Sequence, residues 1–274
     1  MSQISTIEVK SENDLKNFIQ FPMELYKNNE NYVPALIKDE KNIWNPKENG
    51  ALQHSEAKQF LAYKDGKIVG RVAIMLNHKE EEDLGIKKIR FGWLDFIDDY
   101  EVSKTLIDLA INFAKEKNIR LIEGPMGFTN LDKAGMLTMG FDKLATMIGL
   151  YNFPYYPEHL KKLGMQDGKI WVEFEMDFPT VLPEKVTKFS KLVREKYKLN
   201  VLQFNSKKEI LPRVNAMFKL LDETYNTLST YTPISQEQIK IYKEKYFPFI
   251  SKEYVICVVD ENDELVAFAI TMPS

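Results

Sequence analysis

Residues that build disulfides and metal centres are scarce in this sequence. Cys257 is the single cysteine among 274 residues, which excludes an internal disulfide and any cysteine-rich zinc or iron–sulfur site. The three histidines, at positions 54, 78 and 159, lack the spacing of a metal-ligand motif. We therefore expect a protein of a reducing compartment, with no metal in its site.

Long apolar runs and an excess of positive charge are missing too. No stretch approaches the roughly 20 apolar residues of a membrane span, and residues 1–10 lack the apolar core of a signal peptide. Against 40 Asp and Glu stand 37 Lys and Arg, a net charge of −3, which excludes a strongly basic polyanion binder. We expect a cytoplasmic protein whose partners include neither nucleic acid nor a membrane.

The clearest local signals are a hairpin followed by a strand–helix–strand unit. Two β-rich runs within residues 60–76 flank Asp65-Gly66, a pair that suits a tight hairpin turn. Residues 89–97 alternate as a strand and lead to Asp98 and Asp99, either of which can cap the helix that the following apolar spacing predicts. A short strand is expected at 119–123, before Gly124-Pro125.

The second half of the chain repeats part of this order. We expect a helix over 157–163, a strand over 169–178, a helix over 183–197, a strand over 201–204, helices over 206–225 and 236–247, and a second hairpin over 254–270. This recurrence predicts a complete module at 1–178, a linker and helix at 179–198, and a partial second module at 199–274. The sequence stops just after that hairpin, so we expect either a truncated longer protein or a homodimer whose second copy covers the open sheet edge.

The sequence resembles a tandem bacterial family of the GCN5-related N-acetyltransferase (GNAT) superfamily. The element order matches, as do stretches of residues at 21–34, 60–71, 91–96, 123–135, 140–142 and 151–165. The resemblance implies an α/β fold: a GNAT-like mixed central sheet flanked by helices, with one complete module and a partial second one. It also implies an acyl-CoA-dependent N-acyltransferase for an unidentified small amine, with acetyl-CoA or another acyl-CoA between the fourth and fifth strands.

One loop departs from the family pattern. GNAT enzymes cradle the CoA pyrophosphate in a glycine-rich loop at a helix N-terminus, whereas this chain has Asp98-Asp99-Tyr100-Glu101 there. A carboxylate about 5 Å from a phosphate costs roughly 3 kcal/mol at an effective dielectric constant of about 20. The helix dipole returns only about 0.3–1 kcal/mol. The first module is therefore expected not to bind acyl-CoA in the usual way.

Acyl transfer to an amine needs a base for the ammonium proton and an acid for the thiolate. The base candidates are Glu123, at the end of the fifth strand, and Asp95 on the fourth. The acid candidates, which enter the next helix, are Tyr151, Tyr155 and Tyr156. Each also has a structural interpretation, as a polar strand residue or as a packed tyrosine whose hydroxyl bonds the backbone.

The loop after the fifth strand offers a candidate binding site. Thr129, Asn130 and Asp132 lie beyond the carboxyl end of a central strand, where open α/β sheets bind ligands. A self-capping turn explains the same residues equally well. The alternative function is accordingly a catalytically degenerate GNAT-like module that binds a small polar metabolite or a protein partner.

Overall fold

The computed structural model describes residues 3–129, 131–146, 149–177, 179–228, 231 and 233–271. These residues form two compact units that divide between Trp171 and Val172. The predicted domain boundaries at residues 178 and 198 stay predictions. No helix in the described ranges combines the length and the apolar character needed to cross a membrane.

The helices and strands alternate along the first unit and continue into the second. In chain order they are β1 (Ser5–Glu8), α1 (Glu12–Leu25), α2 (Ile37–Ile43), β2 (Ser55–Lys64), β3 (Lys67–Asn77), α3 (His78–Leu84), β4 (Ile89–Phe96), α4 (Tyr100–Glu116), β5 (Ile122–Glu123), α5 (Tyr155–Lys162), α6 (Glu184–Lys196), β6 (Asn200–Leu202), α7 (Val214–Tyr225), α8 (Gln236–Tyr246), β7 (Val255–Val259) and β8 (Leu265–Ile270).

A mixed five-stranded sheet forms the centre of the first unit. Its strands lie in the order β1-β2-β3-β4-β5, and every neighbouring pair is antiparallel except β4 and β5. The predicted hairpin is confirmed: Asp65 and Gly66 connect β2 to β3 with φ angles of 52° and 74°. With helices on both faces of this sheet, the predicted α/β fold class is confirmed.

The two faces of the sheet bury different helices because side chains alternate along β3. Val72 and Ile74 pack in the core that holds Leu106 of α4, while Ala73 packs with Phe18 of α1. Asp99 caps α4 by accepting a hydrogen bond from the Glu101 amide, as the sequence predicts. The helix that follows β4 is thereby fixed at its start and along its apolar face.

The second unit has a smaller, antiparallel sheet in the order β6-β7-β8. Helix α7 buries Val214 and Met217 against Val255 and Cys257 of β7, so the one cysteine is a core side chain. Its elements follow the predicted order of strand, helices and hairpin. That they are a partial repeat of the first unit stays a prediction.

Three expectations from the sequence were wrong in detail. Residues 169–177 form no strand, although they alternate, because a strand needs a partner for its backbone and no described strand pairs with them. The strand expected at 119–123 is limited to Ile122–Glu123. The helix expected over 206–225 begins as a 3-10 helix, Lys207–Arg213, which contains Pro212, and becomes α-helical only at Val214.

Gly92 allows the chain beyond β5 to pack closely on β4. The Met126 amide donates to the Phe91 carbonyl, and a Cβ atom at position 92 would lie 2.2 Å from the Met126 carbonyl oxygen. We expect Gly92→Ala to lower the free energy of unfolding by about 1–3 kcal/mol, because this backbone must move away. Urea denaturation measures the change.

The matched control for this substitution is Gly168→Ala. Gly168 is exposed and has no atom within 4 Å of the position that a Cβ would take. Its replacement should leave the denaturation midpoint nearly unchanged. Equal midpoints for the two variants would contradict the close packing at Gly92.

Candidate functional site

A β-bulge in β4 determines which side chains reach the candidate site. Trp93 and Leu94 together oppose the single residue Val72 of β3. Gly92 and Asp95 therefore point to the same face of the sheet although they lie three residues apart. At the bulge Trp93 adopts the left-handed backbone conformation, with a φ of 46°. This conformation costs a residue other than glycine about 1–2 kcal/mol.

The bulge brings Asp95 directly opposite Arg71 of β3. Arg71 Nε donates to Asp95 Oδ2 at 2.7 Å, and Arg71 Nη1 donates to the Phe18 carbonyl of α1 at 2.8 Å. Both side chains are buried, with exposed residue fractions of 8% for Asp95 and 7% for Arg71. The ion pair thus joins two central strands to the first helix.

A chain of hydrogen bonds leads from this ion pair to the end of β4. The Tyr26 hydroxyl lies 3.1 Å from Asp95 Oδ1 and 2.8 Å from Tyr156 Oη. Since an ionised carboxylate can only accept, Tyr26 gives its one proton to Asp95, and Tyr156 donates to Tyr26. Tyr156 Oη in turn accepts from the Phe96 amide at 2.9 Å. Each oxygen of Asp95 therefore already accepts a hydrogen bond.

The tyrosines around Asp95 resist ionisation. Burial raises the pKa of Tyr26 and of Tyr156 well above its ordinary value, and the charge of Asp95 adds to both shifts. Tyr32 stacks on Tyr26 with ring centroids 4.5 Å apart, and burial followed by the charge of Asp95 raises its pKa to about 12. These phenols stay protonated at neutral pH, so they can donate protons but cannot act as bases.

The three predicted acid tyrosines all lie near this cluster, and each has hydrogen-bond partners. The Tyr155 hydroxyl donates to the Phe96 carbonyl at 2.6 Å, beside the bond that Tyr156 makes with the amide of the same residue. The Tyr151 hydroxyl donates to the Phe141 carbonyl at 2.9 Å. These contacts match the structural interpretation of the tyrosines, and a catalytic role for them stays a prediction.

Glu123 lies in a different, largely buried network of charges. Lys88 Nζ contacts Glu123 Oε2 at 2.7 Å and Glu80 Oε1 at 3.2 Å, while Arg90 binds Glu80 through Nε and Nη2. Lys88, Glu80 and Arg90 are fully buried, whereas the Glu123 side chain is 28% exposed. Glu123 is the one carboxylate of this network that solvent can reach.

The two predicted bases lie at opposite ends of β4. Glu123 lies on β5, directly opposite Arg90 in the backbone register, and Arg90 is near the start of β4. Asp95 is the residue before the last residue of β4. At about 3.3 Å per residue the two positions are roughly 15 Å apart along the strand. One reaction centre cannot use both, and Asp95 is the more enclosed of the two.

The predicted binding loop is held by its own turn. Asp132 Oδ2 accepts from the Thr129 amide at 2.8 Å, and Thr129 Oγ1 accepts from the Leu131 amide at 3.2 Å. Burial raises the pKa of Asp132 despite these bonds. Thr129 and Asp132 therefore cap a turn, as the structural interpretation of the sequence allows, and Asn130 lies outside the described residues.

The start of α4 does not fit a CoA pyrophosphate. Asp99 occupies the helix N-terminus, where its carboxylate accepts the Glu101 amide and binds Lys64 Nζ at 2.6 Å. The Lys64 hydrogen bond, with the amide bond, lowers the pKa of Asp99, so the charge persists. Lys162 Nζ lies over the Tyr100 ring, 3.9 Å from its centre. The anion site that an open helix N-terminus offers is filled by the protein's own carboxylate.

The end of β4 is also closed to a cofactor that pairs with its backbone. The amide and the carbonyl of Phe96 are both bonded by tyrosine hydroxyls of α5. The pantetheine pairing that the GNAT resemblance implies is therefore blocked at this residue. Within the described ranges, no group of three or more His, Cys, Asp or Glu side chains could hold a metal ion.

Three residues that organise this site are not among the site residues predicted from the sequence. Arg71 and Tyr26 lie in stretches that carry the family resemblance, and Glu40 of α2 lies in none. Trp93 Nε1 donates to Glu40 Oε2 at 2.9 Å, which ties α2 to the bulge. The signal that the sequence does contain is Arg71, a basic residue within the apolar run at 68–76, because a basic side chain that is buried there requires an acidic partner.

The ion pair at the bulge should be essential for stability. We expect Asp95→Asn to lower the free energy of unfolding by about 3–5 kcal/mol, because it leaves the buried Arg71 guanidinium without its ionised partner. Asp108→Asn, which removes an exposed ion pair with Lys104, is the matched control and should barely change stability. Equal losses of stability for the two variants in urea denaturation would contradict the burial of the Arg71 ion pair.

Comparison with known proteins gives two relatives in bacteria. No family model matches the sequence. Protein YghO of Escherichia coli K12 is 32% identical over 158 residues, which are 58% of this chain and 40% of YghO. A bacterial ceramide synthase of Caulobacter vibrioides is 24% identical over 184 residues, 67% of this chain and 48% of that protein. The chain thus spans less than half the length of these curated relatives.

Solved structures that align with the chain include acetyltransferases. One is a predicted acetyltransferase from Clostridium acetobutylicum with acetyl-CoA, at 16% identity, 63% of this chain, 96% of that chain and a TM-score of 0.38. Another is a GCN5-related glucosamine N-acetyltransferase region of a fungal β-N-acetylglucosaminidase, at 14% identity, 98% of this chain, 28% of that chain and a TM-score of 0.49. By its strand order and its β4-α4-β5 connection, the first unit of the chain has a GNAT-like fold.

Proposed function

We propose that the protein takes part in N-acyl transfer from an acyl-CoA to an amine. The observation that carries the proposal is the early end of the pairing between the two strands: β4 pairs with β5 at only two positions, and after the bond from the Met126 amide to the Phe91 carbonyl no described strand pairs with this edge of β4 up to Phe96. A GNAT enzyme uses such a gap for its acyl donor. One of the two relatives is named as a ceramide synthase, and this name supports an acyl-transfer function for the chain.

The same relative suggests the class of acceptor. A ceramide is by definition the amide of a long-chain amino alcohol, so we propose an amine of that class as the acceptor. Such an amine is protonated at neutral pH and must lose a proton before it can attack a thioester. A carboxylate within reach of solvent is the group that this step requires.

Glu123 meets this requirement better than Asp95 does. Its side chain is 28% exposed, so solvent can carry away the proton that the carboxylate takes from the amine. Asp95 is enclosed, and both of its oxygens already accept hydrogen bonds. We therefore propose Glu123 as the base and Asp95 as a positioning residue that holds the bulge of β4.

The donor must be held differently from the usual GNAT arrangement. The Asp99 carboxylate caps the N-terminus of α4, and tyrosine hydroxyls bond the amide and the carbonyl of Phe96. We therefore propose that the CoA phosphates bind away from this loop. Those same two features favour the second candidate function, a catalytically degenerate unit that binds a small polar metabolite or a protein partner.

A thiol-release assay tests the proposed reaction. With a long-chain acyl-CoA and a long-chain amino alcohol, we expect free CoA and the N-acyl product in equal amounts. Glu123→Gln should lower kcat/KM by about 100-fold or more, because a positioned base contributes at least that factor. The exposed Glu116→Gln is the matched control and should behave as the unaltered chain does.

The outcomes separate the two candidate functions. Equal activity of Glu123→Gln and the unaltered chain would remove Glu123 from the mechanism. If no thiol is released, and acetyl-CoA at millimolar concentration leaves the Tm unchanged, the binding function is favoured, since any ligand of the folded state must raise the Tm.

The position of the phosphates can be tested separately with Asp98→Ala/Glu101→Ala. If the phosphates lie at the start of α4, removal of these carboxylates should tighten acyl-CoA binding several-fold, because each one repels a phosphate there. We expect the dependence of Tm on acyl-CoA concentration to stay the same. A several-fold tightening would restore the usual GNAT site.

A further inference from the structure

Helix α6 has an apolar stripe with no partner among the described residues. Val186, Phe189 and Leu192 are 50%, 68% and 62% exposed, and none of the helix's thirteen residues is buried. In a water-soluble protein an amphipathic helix normally buries this face against the core. The stripe is therefore a surface that is available for binding.

The charges on α6 flank the part of the stripe that Val186 and Phe189 form. At 100° per residue, these two residues and Val193 lie within an arc of about 60°. Lys185 and Lys196 project between Phe189 and Leu192 on one side, and Arg194 lies about 80° beyond Val186 on the other. Glu184 and Glu195, the two acidic side chains, project from the opposite side.

The helix is also strongly positive compared with the rest of the chain. It carries five basic and two acidic residues, a net charge of +3, while the whole chain has a net charge of −3. Glu184 and Glu195 form exposed ion pairs with Lys188 and Lys191, respectively. The remaining basic side chains can bind an external anionic surface.

Apolar side chains continue on both sides of the helix. Val181 and Leu182, just before it, are 80% and 53% exposed. Tyr197, just after it, is also exposed and lies on the same arc as the stripe, with Lys196 Nζ 5.0 Å from the centre of its ring. Tyrosine beside lysine is the residue pairing that suits the boundary between lipid and water.

We propose that α6 docks this protein on the surface of an anionic lipid bilayer. The helix lies in the plane of the interface, with Val186 and Phe189 inserted among the acyl chains and Lys185, Lys196 and Arg194 against the headgroups. Charge complementarity selects this occupant, because a second copy that met α6 with its own α6 would bring two positive helices together. The proposal does not depend on the acyl-transfer function, and it revises the expectation that the protein has no membrane partner.

Vesicle co-sedimentation of the full chain tests this docking. We expect binding to vesicles of equal parts phosphatidylglycerol and phosphatidylcholine, and little binding to phosphatidylcholine alone. Phe189→Ser should weaken binding at least about tenfold, through loss of the inserted ring. Lys185→Gln/Lys196→Gln should weaken it by about fivefold for each lysine, and added salt should weaken it further.

Phe249→Ser is the matched control, since Phe249 is a comparably exposed phenylalanine outside the helix, at 83%. It should bind vesicles as the unaltered chain does. Absence of binding to the anionic vesicles, or equal binding to both kinds, would overturn the proposal. A drop in Tm for Phe189→Ser would instead show that α6 packs on protein, and loss of a dimer in sedimentation velocity would assign the stripe to a second copy. Either result rejects the lipid surface.

Discussion

The buried ion pair between Arg71 and Asp95 is the interaction on which the first unit depends. It joins β3 to β4, and through the Phe18 carbonyl and the Tyr26 hydroxyl it joins both strands to α1. A buried ion pair stabilises a fold only when its remaining hydrogen-bonding groups are satisfied, and here neighbouring elements supply those partners. The bulge at Trp93 is the geometric condition for the pair, because it turns Asp95 to the face of the sheet where Arg71 lies.

This arrangement separates structural from chemical roles along one strand. At the end of β4, the Asp95 oxygens, the Tyr26 and Tyr156 hydroxyls and the Phe96 backbone saturate one another. Such a network fixes geometry, and each of these groups already has a hydrogen-bond partner within the protein. Near the start of the strand, the Glu123 side chain is partly exposed to solvent. It forms an ion pair with Lys88, which also contacts Glu80. Reactivity is therefore more compatible with the β5 end of the sheet.

Local patterns predicted the elements well, and non-local packing decided the site. Asp65-Gly66 and Asp99 act within a few residues of themselves, so turn and cap chemistry suffices to place them. The orientation of Asp95 depends on a bulge that strict alternation does not reveal, and its partners Arg71 and Tyr26 are distant in sequence. The strand expected at 169–178 had the right alternation, but sequence pattern cannot tell whether a neighbouring strand exists to receive it.

Charge distribution explains more of this protein than its net charge does. A total of −3 hides both the carboxylates that close the start of α4 and the positive helix α6. Long-range attraction depends on the total charge only at distances where salt already screens it, beyond about 8–10 Å. Within that distance a bilayer or a phosphate interacts with the charges of a single helix end or a single helix face. The overall composition predicts that the protein binds no polyanion. This expectation holds for the start of α4, where the Asp99 carboxylate repels an anion, but it does not apply to α6, where we propose an anionic bilayer as the partner.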